Sequence, residues 1–421
     1  MHPSDQRSSP LTFGQLSVWR DVQDLPPDRA HEANLADVWT VRPDVPQDRI
    51  LAALGELARR HESLRIRYED GPLGLRMILP GSAGPAPVRV VRAEPEHAVR
   101  DILDQELGTA VDLSAGPGWR ATVVAGRALA AVVMLSHHIT ADAWASNLMR
   151  QDFQRLLTEP EQGTADPPGL LDWAQEQRAA TEQRLRKRAR ALAYFEKVVA
   201  DDEALAAVRE DHQSRTVQAS LLSRELHDAA TRIAAATRTS IGSVLLSAAV
   251  RAFAGHLGVE RLTVDVMASN RADRLSRLLV TSMNQWAPAL LDRPASYPLA
   301  EAAASMQQTT LEANRYGCYD VDELRQLRRD IQGSTARASA LAVNFVPEPP
   351  KSAPASAEDR ERIVIARPFA VLYAQPCYIK IYDQDPDVGI WITSRLDGDT
   401  GTVTKIMMSL RDDLMTAVTA L

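Results

Sequence analysis

Ala128-Leu129-Ala130-Ala131-Val132-Val133-Met134-Leu135-Ser136-His137-His138-Ile139-Thr140-Ala141-Asp142-Ala143-Trp144 is the stretch whose reading decides the fold. Ala128 to Leu135 is continuously apolar, too short a run for a typical helix, and reads as a strand buried on both faces. From Asp142 to Leu157 the pattern changes, with Trp144, Leu148, Phe153, Leu156 and Leu157 predicting a helix that turns one face inward. The histidine pair therefore falls at a strand-to-helix turn of an α/β fold.

Side chains of neighbouring strand residues point to opposite faces, so His137 and His138 cannot both face one cavity while the strand stays regular. One is expected to work and the other to support it. A neutral imidazole, with an ordinary pKa near about 6.5, can accept a proton from an attacking amine or alcohol, or hold that nucleophile against an acyl carbonyl. Asp142 is expected to form a buried ion pair with an arginine, locking the turn, rather than to serve as a general acid. A lone histidine is more often a core or surface residue. The pair, followed by Asp142 and preceded by a buried strand, favours a functional reading. No third ligand lies nearby in the sequence, so no metal is expected.

Outward from the turn, Leu51, Leu54, Leu57 and Ala58 repeat at helical spacing. Leu64 to Tyr68 alternates and reads as a strand ended by Asp70-Gly71-Pro72. Ala98 to Leu107 reads as a helix, and Glu159 to Gly169 as a linker between domains. The second half opens with one long helix from Trp173 to Val199. A helix follows from Ser240 to Leu257 and a strand from Arg261 to Met267. Further strands are expected at Leu341 to Val346, Tyr378 to Tyr382 and Gly389 to Ser394, with a loop over Glu348 to Asp359.

A chain of 421 residues exceeds what one core usually organises, which implies two domains. Their expected extents are residues 1–165 and 166–421. The net charge of −7 argues against a nucleic-acid partner. The basic run Arg184-Leu185-Arg186-Lys187-Arg188-Ala189-Arg190 reads as a solvated helix face. No stretch approaches a membrane span, so no membrane partner is expected. The polar N-terminus lacks the apolar segment of a secretory signal, which makes the cytoplasm the expected location. Cys318 and Cys377, the only two cysteines, lack metal or disulfide spacing and read as buried small apolar residues.

The segment from Leu135 to Trp144 resembles the HHxxxDG signature of the condensation domains of nonribosomal peptide synthetases, within the chloramphenicol acetyltransferase-like superfamily. Other elements follow in the family's order. Leu11-Thr12-Phe13-Gly14-Gln15-Leu16-Ser17-Val18-Trp19 resembles S-x-A-Q-x-R-L-W, and Arg60-His61-Glu62-Ser63-Leu64-Arg65-Ile66-Arg67-Tyr68 resembles R-H-E-x-L-R-T-x-F. Leu171-Asp172-Trp173-Ala174 is similar to Y-x-D-F-A-x-W, Thr281-Ser282-Met283-Asn284-Gln285 to F-V-N-T, and Tyr316 to Leu324 to H-Q-D-x-P-F-E-x-L in outline.

The resemblance implies two chloramphenicol acetyltransferase-like α/β lobes arranged in a V around a central tunnel. It implies His138 as the catalytic histidine, His137 as support for the turn, and Asp142 as the partner of a C-terminal-lobe arginine at Arg271. His61 and Arg65 would pack rather than react, and Trp144 would belong to the core; Ala143 and Asn284 are candidates to line the tunnel, with a surface or strand-capping role equally open for Asn284. The family glycine is Ala143 here, which adds a methyl where glycine often marks close backbone approach. The implied function is acyl or aminoacyl transfer from a carrier-protein thioester to an amine or alcohol. The acyl or peptidyl carrier protein would act in trans, with its phosphopantetheine arm as tether and no bound cofactor, because no adenylation or carrier module accompanies the domain. The acceptor would be a small molecule or carrier-bound. A coenzyme A-dependent acyltransferase, an epimerase-type relative and a non-catalytic recruitment platform remain alternatives.

Overall fold

The computed structural model describes residues 6–42, 44–72, 74–82, 84–126, 130–159, 166–200, 202, 204–208, 216–333, 338–347, 364–366, 375–384, 386–396 and 400–421. The chain divides into two compact units, Met1–Arg184 with Asn270–Asn284, and Leu185–Ser269 with Gln285–Leu421. This division differs from the expected one at residue 165 in two respects. The first unit runs on to Arg184, and it recovers a fifteen-residue segment, 270–284, from the second half of the chain.

The first unit contains β1 (Arg7–Pro10), α1 (Phe13–Gln23), β2 (Asn34–Val41), α2 (Gln47–Arg60), β3 (Arg67–Glu69), β4 (Arg76–Leu79), β5 (Val88–Arg92), α3 (Pro95–Leu107), β6 (Trp119–Ala125), β7 (Ala130–His137), α4 (Ala143–Thr158) and α5 (Leu170–Arg178). Its main sheet has the order β2-β7-β6-β5, and β1, β4 and β3 form a small second sheet. Strand β7 is flanked on both edges, with Val132 opposite Trp39 of β2 and Ser136 opposite Trp119 of β6. Its alternate residues serve two cores. Val132 and Met134 pack with Leu54 and Leu57 of α2 and Met149 and Phe153 of α4, while Val133 packs with Ile102 of α3. Covering on both faces is why this strand reads as an unbroken apolar run.

Two local expectations for this unit are corrected. The strand over Leu64 to Tyr68 is shorter, because Glu62–Leu64 form a 3-10 turn and only Arg67–Glu69 pair with β4. The single long helix over Trp173 to Val199 is two, α5 and α6 (Glu182–Ala200). Helix α5 is tied to the start of the chain, where Arg178 Nε donates to the Leu11 carbonyl at 2.9 Å and Phe13 N donates to Gln177 Oε1 at 3.1 Å. The break at 179–181 carries no proline or glycine, and its local signal is Thr181, whose hydroxyl accepts from Arg184 N–H at 3.4 Å at the start of α6. The ties of α5 to the start of the chain explain why the first unit extends past residue 165. Of the expected linker, residues 160–165 lie outside the described residues, as does the expected loop over 348–359.

The second unit continues from α6 through α7 (Ala204–Ala207), β8 (Val217–Ser223), α8 (Arg224–Thr237), α9 (Ile241–Leu257), β9 (Arg261–Ala268), β10 (Gln285–Asp292), α10 (Leu299–Tyr316), α11 (Val321–Gln332), β11 (Leu341–Val346), β12 (Val364–Ala366), β13 (Cys377–Asp383), β14 (Val388–Ser394) and α12 (Thr400–Thr419). Its sheet runs β10-β9-β11-β13-β14-β8-β12. Helix α9 is apolar nearly all round and is buried from Val244 to Val250, as a helix without a polar face must be. Ser240 caps its start by accepting from Ser243 N at 3.1 Å, and Gly258, at φ +67°, ends it in the left-handed conformation. Cys377 is buried in this core, which pushes its thiol up to about 12, whereas Cys318 is only half-buried and corrects the reading of both as core residues.

Candidate active site

The turn after β7 is built by backbone hydrogen bonds that leave its two histidines in different circumstances. His137 N–H donates to the Gly118 carbonyl at 2.8 Å, His138 N–H to the Ala33 carbonyl at 2.7 Å, and Thr140 N–H to the His137 carbonyl at 2.8 Å. Gly118 lets the Thr140 side chain pack against the strand, since an added Cβ would lie 2.1 Å from Thr140 Oγ1 and would have to displace it. The His137 ring is buried, and its Nδ1 accepts from Ile139 N–H at 3.1 Å. Burial, with the neighbouring His138 adding to it, pushes the His137 pKa down to about 3, so the ring is neutral and occupied as a brace. The His138 ring is only half-buried. Its Nδ1 lies 3.4 Å from Ser282 Oγ.

Asp142 is the N-cap of α4, accepting from Ala145 N–H at 2.8 Å. Both its oxygens accept from Arg271 Nη2, at 3.0 and 3.1 Å, and Oδ2 also accepts from Met283 N–H at 3.0 Å. Arg271 also donates to carbonyls of its own segment, with Nη1 on Ser276 at 2.7 Å and Leu279 at 2.9 Å and Nη2 on Thr281 at 2.7 Å. Both side chains are buried. A buried carboxylate with this many donors is a structural anchor. It fastens segment 270–284 to the start of α4 and explains why the first unit recovers that segment.

The other sequence elements support the same turn. Thr12 and Gln15 form a reciprocal capping box at the start of α1, and Gln15 Nε2 donates to the buried Tyr68 hydroxyl at 3.1 Å. Gly14 lets α1 meet the recovered segment at backbone distance, where an added Cβ would stand 2.5 Å from Met283 Cα. His61 sits buried at the end of α2 with Nε2 2.8 Å from Asp152 of α4. Burial alone would raise the Asp152 pKa, but hydrogen bonds from His61 and Arg155 outweigh it and bring it to about 2. Arg65 is half-buried.

Two residues stand differently from their sequence reading. Trp144 does not belong to the core. It is 46% exposed, and its Nε1–H donates to the Arg277 carbonyl at 3.1 Å. Ala143 opens α4 at an exposed position, so its extra methyl has room. Asn284 is half-buried, and its Oδ1 accepts from Ser282 Oγ at 3.0 Å. Ser282 was not singled out from the sequence. Its signal is a hydroxyl standing two positions before Asn284, where the F-V-N-T element has phenylalanine.

The Condensation domain family matches residues 6–362 of this chain. The chain belongs to the condensation domain family. Among its relatives, phosphinothricin tripeptide synthetase PhsC of Streptomyces viridochromogenes is 32% identical over 168 residues, 38% of this condensation domain chain and 15% of that synthetase. Nonribosomal peptide synthetase kk1B of Curvularia clavata is 29% identical over 126 residues, 29% of this chain and 1% of the synthetase. The chain thus spans a small fraction of these relatives. Among solved structures, the condensation domain of the monacolin K polyketide synthase MokA is similar with a TM-score of 0.77 at 15% identity, covering 98% of each chain. The epimerization domain of the third module of tyrocidine synthetase B matches with a TM-score of 0.75 at 16% identity, covering 99% of this chain and 97% of that one. The α/β fold is therefore that of the chloramphenicol acetyltransferase-like condensation domains, and condensation and epimerization share it.

Proposed function

We propose that this condensation domain transfers an acyl or aminoacyl group from a carrier-protein phosphopantetheine thioester to an amine or alcohol, in peptide or secondary-metabolite assembly in the cytoplasm, with His138 as its catalytic residue. The observation that carries the reading is the division of labour at the turn. His137 is neutral and committed to Ile139 N–H, Asp142 is committed to Arg271, Ala145 and Met283, and His138 is the histidine of the turn that is only half-buried. In the amide-forming case the acceptor nitrogen attacks the thioester carbonyl and forms the C–N bond. Its proton passes to the imidazole and then to the sulfur as the C–S bond breaks, leaving an amide and a free thiol. Holding nucleophile and thioester in line supplies a further part of the acceleration.

The test is mass-spectrometric product detection with acyl-loaded carrier proteins and a panel of amines and alcohols, comparing wild type with His138→Ala. Turnover by wild type and a loss of roughly 10²- to 10⁴-fold in the variant are expected. Equal turnover in both would overturn the role of His138. Turnover with acyl-coenzyme A and none with loaded carriers would make the chain a coenzyme A-dependent acyltransferase. Inversion of a carrier-bound residue without transfer would make it an epimerase, and carrier binding without any turnover a recruitment platform.

A further inference from the structure

We propose that Ser282 and Asn284 are positioning residues that set the tautomer of His138, keeping the proton on Nδ1 and the lone pair on Nε2. A serine hydroxyl has one proton to give. Ser282 gives it to Asn284 Oδ1 at 3.0 Å, so the face its oxygen turns to His138 Nδ1, 3.4 Å away, is a lone pair. A lone pair there favours N–H on Nδ1 and disfavours a bare nitrogen. The imidazole then presents Nε2 as its proton acceptor. At 3.4 Å the contact is long, which fits a bias on the tautomer rather than a strong bond.

The contact is built in. Ser282 is fully buried. The Thr281 carbonyl before it accepts from Arg271 Nη2 at 2.7 Å, and Met283 after it donates N–H to Asp142 at 3.0 Å and accepts at its carbonyl from Asn270 Nδ2 at 2.9 Å. On the remaining side α1 presses on the segment, with an ideal Cβ at Gly14 only 2.5 Å from the Ser282 carbonyl oxygen. The buried Asp142–Arg271 pair therefore does more than stiffen the turn, because it delivers a hydroxyl from 144 residues away to one ring nitrogen of His138.

The consequence for catalysis rests on the acyl-transfer reading, while the tautomer can be measured without it. The experiment is long-range ¹H–¹⁵N correlation on the full chain labelled with ¹⁵N-histidine, near neutral pH, with the His138 ring identified by its loss in His138→Gln. Wild type is expected to show the Nδ1–H form. Ser282→Ala is expected to shift the ring toward the Nε2–H form that free imidazole side chains favour in water, and Ser282→Thr to restore Nδ1–H. Asn284→Asp keeps an acceptor for the serine proton and is expected to keep the tautomer, which provides a second reading if Ser282→Ala folds poorly. An Nε2–H ring in wild type, or an unchanged ring in folded Ser282→Ala, would overturn the proposal. In the acyl-transfer assay Ser282→Ala is expected to lower kcat about 10-fold with KM unchanged, well short of the roughly 10⁴-fold effect of enforcing a wrong tautomer in a catalytic triad. If wild type transfers no acyl group, the spectra still decide the tautomer.

Discussion

Each unit of this chain pairs a buried aspartate with an arginine, and the two pairs differ in what they hold. In the first unit, Asp142 and Arg271 join the start of α4 to a segment more than a hundred residues away, beside a half-buried histidine. In the second, Asp265 on β9 accepts from Arg328 of α11 at 3.1 Å, from Gln375 Nε2 at 2.9 Å and from Ser339 N–H at 3.4 Å. Both carboxylates are buried and well supplied with donors. Burial and pairing therefore do not by themselves mark a site. What sets the first pair apart is that the backbone it fixes carries Ser282, whose hydroxyl lies 3.4 Å from His138 Nδ1.

The largest effects should separate the two pairs. Arg271→Ala strands a buried carboxylate at the N-cap of α4 and is expected to cost about 3–5 kcal/mol. Its folded fraction should also lose most acyl-transfer activity, because both the turn and the Ser282 contact come loose. Arg328→Ala should cost up to the same amount, reduced by the donors that Asp265 keeps, and should leave kcat within about threefold. Thermal melts and turnover numbers on both variants check this. Equal loss of kcat per folded molecule in the two would break the contrast.

Gly14→Ala sharpens it from the opposite side of the recovered segment. The new methyl would collide with backbone atoms of Ser282 and Met283, so the helix or the segment must move. Overpacking of this kind costs about 1–3 kcal/mol. The displaced atoms carry the hydroxyl next to His138, so kcat is expected to fall along with Tm. A drop in Tm with kcat intact would show that the segment's position does not matter to the reaction.

Asp202, which accepts from Ala204 N–H at 3.0 Å and Thr263 N–H at 3.4 Å, gives a smaller, pH-dependent effect in the second unit. Burial foremost, with the charge of Asp265 contributing, pushes its carboxyl up to about 6. The folded pKa then lies above the unfolded value, near about 3.9, so folding favours the protonated form. That contribution is complete below about pH 4 and is lost as pH rises through about 6. Asp202→Asn removes the dependence. It should be more stable than wild type by about 1–3 kcal/mol at pH 7.5, with the difference fading by pH 4. Melting both proteins across that range tests the sign, and a variant less stable at pH 7.5 would contradict it.

Much of this architecture was legible in the sequence because it is local. Helix α9 declares itself by uniform apolarity after Ser240, β11 spans the expected Leu341 to Val346, and the histidine turn follows from a buried strand meeting a capped helix. What could not be read depends on partners distant in the chain. No periodicity says that residues 270–284 leave the second unit, or that α5 stops at Arg178 because its last turn is bonded to Leu11 and Phe13. The resemblance to a known family supplied Arg271 by position, whereas Ser282 stayed hidden because its hydroxyl matters only once that segment is folded beside His138.

Trp144 shows the same limit on a smaller scale and carries the mildest test. At the first turn of α4 it fits the apolar pattern, yet that pattern cannot distinguish the inward stripe from a ring lying along a neighbouring segment. Its indole is 46% exposed, donates to the Arg277 carbonyl and lies with its ring centroid 5.9 Å from the Arg271 guanidinium carbon. A core tryptophan replaced by a smaller residue would cost several kcal/mol, on the order of 3–5 for truncation to alanine. An exposed hydrogen bond is worth about 1 kcal/mol or less. Trp144→Phe keeps an aromatic face beside Arg271 and removes only the donor, so a loss under about 1 kcal/mol in a thermal melt is expected, with kcat unchanged. A loss of 3 kcal/mol would restore the tryptophan to the core. A fall in kcat without one would extend the reacting region from the histidine turn onto the first turn of α4.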